Sequence, residues 1–150
     1  MTTSLMLRIA AAITLLFCVA HTSGTPWTPA AGPLDATVIE AMKAHRFDAL
    51  GVSRTYWDFY YGFGWIIAGY LLLQAVVLWQ MAGLARANPA TVRPVIASFL
   101  VSFALNAFLA WKFFFAIPVA MAVTIAACLA VALVFASIRA KQLTNSTGEM

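Results

Sequence analysis

The chain has 150 residues, of which 63% are hydrophobic and 9% charged, with a formal net charge of +4 and a mean hydropathy of +0.90. That is too apolar and too sparsely charged for a soluble globular domain, so the water-soluble class is excluded. The basic balance does not point to nucleic acid either: Arg8, Arg86, Arg93, Lys112, Arg139 and Lys141 each sit within a few residues of an apolar segment, where basic side chains snorkel toward anionic headgroups.

The first element is an apolar run in which Arg8 precedes the uncharged stretch Ile9 to Ala20. This has the form of a signal-peptide core, with Cys18-Val19-Ala20 as small residues at a cleavage position. A helix that starts near Ser4 and lets Arg8 snorkel spans a bilayer equally well, and an uncleaved first span over about 5–22 is the expectation. Gly24, Pro26, Pro29, Gly32 and Pro33 then end the helix and favour extended or turn backbone, with Trp27 among them. Asp35 offers an N-cap, the stretch Ala36 to Leu50 has helical composition, and Gly51 fits the position past a C-terminus. This predicts a weakly amphipathic interfacial helix inside an external loop at 23–56.

The second span opens on Tyr56-Trp57-Asp58-Phe59-Tyr60-Tyr61-Gly62-Phe63-Gly64-Trp65, an aromatic belt, and runs to Met81; residues 57–81 carry a single charge. A short connection with Arg86, Asn88 and Pro89 leads to Pro94 in the first turn of a third span, 94–112. Pro118 similarly opens a fourth span, 117–138, within a stretch from 113 to 138 that has no charge. The tail 140–150 is polar and expected to fray. The fold class expected is an all-α membrane protein: a single integral domain over 1–150, built as an antiparallel four-helix transmembrane bundle with an interfacial amphipathic helix between spans one and two.

Cys18 and Cys128 stand apart from each other and from any His in a ligand spacing, so they read as packing residues, and no metal site can be assembled locally. Neither H-E-x-x-H, a Ser-His-Asp arrangement nor paired carboxylates within a span is present, and no pattern names a cofactor. Small residues at steps of four, Gly64 with Ala68 and Ala122 with Ala126 and Ala130, suit close helix packing within the chain. Ser98, Ser102 and Asn106 fall on one face of span three, which predicts a polar stripe turned toward the bundle interior.

Arg54, Asp58, Tyr61 and Trp65 are spaced by four, three and four and are expected to share a helical face, with Arg54 paired to Asp58. Together with His21, Lys112, Ser102 and Asn106 they form the candidate ligand-binding set. Size, the four-span layout, an ionisable cluster at one face and a long first external loop resemble small bacterial membrane proteins of the DoxX-like kind, which implies a bacterial inner membrane. Counting Lys and Arg, the side with both termini holds Arg8, Arg86, Arg93, Arg139 and Lys141 against Lys43, Arg46, Arg54 and Lys112, which places both termini in the cytoplasm.

Three functions fit these expectations. The first is binding or transforming a lipophilic small molecule, of lipid or quinone type, at the extracytoplasmic side of the bundle. The second is a non-catalytic accessory subunit packed against a membrane protein partner. The third is a proton-coupled transporter acting as a homo-oligomer.

Overall fold

A computed structural model of the chain describes residues 2–24 and 29–148. The elements in order are α1 (Thr2–Gly24), α2 (Pro33–Ala44), β1 (Arg46–Ala49), β2 (Val52–Thr55), α3 (Tyr56–Ala87), α4 (Arg93–Phe113) and α5 (Ala116–Gly148). Four of them, α1, α3, α4 and α5, are long and apolar enough to cross a membrane, so the architecture is an all-α membrane bundle. The extended backbone expected around Pro26 and Trp27 falls at 25–28, outside the described residues.

The chain divides into two compact units whose boundaries fall within α1 and α3. The first comprises residues 1–17 and 72–150. Here each helix buries a narrow stripe, with steps of three and four in Leu7, Ala10, Thr14 and Phe17 on α1, in Ala75, Leu78, Ala82 and Ala85 on α3 and in Ala122, Ile125, Leu129, Ala132 and Ala136 on α5, and with steps of seven in Ile96, Phe103 and Ala110 on α4. Such heptad spacing keeps one seam facing its neighbour along the helix. Alanine recurs because lipid supplies no hydrophobic drive for association, so helices gain most by close backbone approach. Across α1 and α3, the Ser4 hydroxyl donates to the Ala82 carbonyl at 2.6 Å, and the Arg8 guanidinium lies 5.2 Å from the Trp79 ring centre. These pairings run in opposite chain directions, so the two helices are antiparallel. α4 and α5 pack along one another and are joined by only Phe114 and Phe115.

The second unit, residues 18–71, holds the end of α1, the α2 helix, both strands and the start of α3. Two expectations are corrected in it. α2 begins at Pro33 rather than after Asp35, because a proline at the first helical position has a suitable φ and no N–H to leave unpaired. It also stops at Ala44 instead of continuing to Leu50. Arg46–Ala49 pairs antiparallel with Val52–Thr55, with Ala49 opposite Val52, around a two-residue turn in which Leu50 and Gly51 have φ of 56° and 86°. Two successive positive φ values give the twist that suits a tight hairpin. The Asp48 carboxylate holds the turn by accepting the Gly51 N–H at 2.6 Å. The hairpin also places aromatic rings in contact: Phe47 lies 4.9 Å from Tyr56 and 5.6 Å from Phe59, and His45 stacks on Tyr56.

The expected span boundaries shift outward. α3 continues past Met81 to Ala87, and α5 continues through the tail to Gly148, because the polar residues there still include good helix formers such as Ala140, Lys141 and Gln142.

Candidate functional site

The second unit gathers most of the expected site residues, and the helix start at Tyr56 decides what each one does. Thr55 is the last residue of β2 and caps α3: its hydroxyl accepts the Asp58 N–H at 3.1 Å, while the Asp58 carboxylate accepts the Thr55 N–H at 2.8 Å. This reciprocal capping box satisfies two amide groups that a helix start leaves without partners. Thr55 is buried and Asp58 is exposed. The negative charge also sits against the positive end of the helix dipole.

Arg54 does not join this arrangement. It lies in β2, not on a helical face, and its guanidinium donates to the Ser53 carbonyl at 3.3 Å. The only ion pair among the described residues is Lys43 with Glu40, at 3.6 Å. The expected Arg54–Asp58 pair is therefore absent, because the helix begins two residues too late to bring Arg54 one turn below the carboxylate.

Farther along α3, Tyr61 and Trp65 lie edge to face with ring centres 6.4 Å apart, and both are more than two-fifths exposed. Behind them, Gly64 and Ala68 are buried against the end of α1. His21 Nε2 meets the Gly64 carbonyl at 3.1 Å, and the Cys18 thiol donates to the Ala68 carbonyl at 3.3 Å. A carbonyl oxygen only accepts, so Nε2 carries the proton in this bond. Small residues at 64 and 68 let α1 approach closely enough for side chains to reach backbone carbonyls. His21 is thus an interhelical tie.

The remaining candidates lie on α4, in the first unit. Lys112 sits at the helix end with its ammonium 5.3 Å from the Phe113 ring centre. Ser98, Ser102 and Asn106 form the expected stripe, but all three are exposed. The stripe does not face the bundle interior: that face is taken by Ile96, Phe103 and Ala110, whose larger apolar surface packs against neighbours. At about 100° per residue, Ser102 is turned roughly a quarter circle away from Phe103. The Ser98 hydroxyl bonds back to the Pro94 carbonyl at 3.1 Å. Among the described residues the Ser102 hydroxyl and the Asn106 carboxamide have no partner.

Sequence reasoning missed Thr55, although the Thr-x-x-Asp spacing before an apolar run is a capping signature. It also missed the Gly64 and Ala68 carbonyls, for which sequence carries no signal beyond the small residues themselves. No three His, Cys, Asp or Glu side chains among the described residues converge in a way that would hold a metal ion. Comparison with protein-family models, curated proteins and solved structures gives no match, so the likeness in layout to DoxX-like proteins carries no family assignment.

Proposed function

We propose that this chain is a non-catalytic subunit of a membrane assembly and docks sideways onto a transmembrane helix of another protein through the α4 face bearing Ser98, Ser102 and Asn106. The observation that carries this reading is Asn106: an exposed carboxamide without a partner, about 10 Å from the Phe113 end of a membrane-spanning helix. Left facing hydrocarbon, such a group loses the hydrogen bonds it would make in water. A polar side chain on a neighbouring helix restores them, at a gain of about 0.6–2 kcal/mol per contact. α4 is also the least covered of the four spans, with 17% of its apolar window buried against 28–39% for the others.

A lipophilic ligand bound by Arg54, Asp58, Tyr61 and Trp65 has less support, because Asp58 is occupied in capping and Arg54 points its donors elsewhere. The Lys and Arg count supports termini in the cytoplasm, with Arg8, Arg86, Arg93, Arg139 and Lys141 on the side of both termini against Lys43, Arg46, Arg54 and Lys112 on the other. Native mass spectrometry of gently solubilised membranes tests the docking. The expected result is a complex of this chain with a second membrane protein that is lost in Asn106→Leu. A monomer, or a complex that Asn106→Leu leaves intact, contradicts it; a complex with a second copy replaces the partner and keeps the face.

A further inference from the structure

The first unit contains six cations, Arg8, Arg86, Arg93, Lys112, Arg139 and Lys141, and no Asp or Glu among its described residues. Three of the six, Arg8, Arg86 and Arg139, line one cavity of about 460 Å³ together with Thr3, Ser4 and Leu5. Like charges brought to one cavity repel unless a counter-charge is present. Among the described residues none is there: the described carboxylates, Asp35, Glu40, Asp48 and Asp58, all belong to the second unit.

The hydrogen-bonding capacity of the three guanidiniums is also largely unspent. The Arg86 Nε–H donates to the Ser4 hydroxyl at 3.3 Å, and that hydroxyl in turn donates to the Ala82 carbonyl, so Arg86 is braced with its terminal nitrogens left over. Arg8 is braced differently, over the face of Trp79. Its Nε is shut off from solvent and has no acceptor in the chain. Arg139, on α5, is exposed and has no acceptor among the described residues. Two of the three forks are therefore held in place by side chains that leave their outer donors free, which is preorganisation for an external acceptor.

The geometry points to a binding site for a phosphate group at Arg8, Arg86 and Arg139. Planar guanidinium forks match phosphate oxygens two at a time, and three of them outweigh one phosphate charge in a setting with no competing carboxylate among the described residues. The Thr3 and Ser4 positions add the first turn of α1, where free backbone N–H groups and the helix dipole favour an anion. Leu5, half exposed, forms an apolar wall of the same cavity. Such a wall suits the glycerol and acyl start of an anionic phospholipid, and arginines near the end of a span sit at headgroup depth. A soluble phosphate compound offers the same chemistry without the chain.

Native mass spectrometry of the full chain released from mixed phosphatidylglycerol and phosphatidylcholine membranes counts the lipids retained. Retention of phosphatidylglycerol over phosphatidylcholine is expected, with a loss of roughly fivefold for Arg86→Gln or Arg139→Gln and none for Lys112→Gln, which removes the same charge elsewhere. Because Arg139 is exposed, an unchanged melting temperature in Arg139→Gln shows that binding and not folding was lost. Titrating inorganic phosphate against the retained lipid separates the two sources. Displacement at millimolar phosphate marks a soluble phosphate ligand, and persistence of the lipid marks the headgroup. Equal retention of both lipids with no protection by phosphate, or an equal loss in Lys112→Gln, overturns the site.

Discussion

The two units differ in how far the chain satisfies their ionisable and amide side chains, although hydroxyls such as Ser4, Thr14 and Ser98 of the first unit do bond to its own carbonyls. In residues 18–71, four ionisable groups on four different elements are spent inside the chain: Asp58 on Thr55, Asp48 on Gly51, Glu40 on Lys43, and His21 on the Gly64 carbonyl. In the first unit, by contrast, Asn106, Ser102 and the three clustered arginines keep unpaired donors or acceptors among the described residues. The difference teaches where to look for function in a membrane protein that lacks catalytic motifs. A polar group closed within the chain is accounted for by folding, whereas one left open at membrane depth implies something outside the chain that closes it.

The contrast can be sharpened by substitution. The largest effect is expected at Gly64, where Gly64→Val puts a branched side chain between α3 and α1 and breaks the His21 bond; a loss of about 2 kcal/mol should appear in an unfolding titration in mixed micelles. Next, Thr55→Ala removes the hydroxyl of the capping box and should cost about 1 kcal/mol in the same titration. Asp58→Asn keeps an acceptor but loses the charge at the helix start, and a smaller cost of about 0.5 kcal/mol is expected, with any assembly intact. If Asp58→Asn abolished assembly at unchanged stability, the assignment of this carboxylate to folding would fail. The smallest effect is expected for Arg54→Gln, within about 0.5 kcal/mol of the parent, because its guanidinium only touches the neighbouring Ser53 carbonyl.

Much of the bundle was legible because its signals are local. Long uncharged runs name the spans, Pro94 and Pro118 mark their starts, and the aromatic belt marks the start of α3. The hairpin was not legible for a physical reason: the segment from Ala36 to Leu50 has helical composition, and the preference is overridden only when Phe47 finds Tyr56 and Phe59, residues of a later element. That same hairpin moves Arg54 off the helix and dissolves its expected pairing with Asp58. The serine and asparagine stripe was legible as a stripe through its spacing of four. Its direction was not, because it depends on which face of α4 offers the better packing to the other helices, and Phe103 with Ile96 prevails.

The central claim, that α4 docks onto another membrane protein through this stripe, is tested most directly by placing a photo-crosslinking amino acid along α4 in intact membranes. Positions 98, 102 and 109 lie along the stripe, while Val101 and Phe108 are also exposed but turned roughly 100° or more from Ser102. Protein adducts confined to 98, 102 and 109 are the predicted result. Adducts of equal yield at Val101 and Phe108, or adducts to lipid alone at every position, would contradict it.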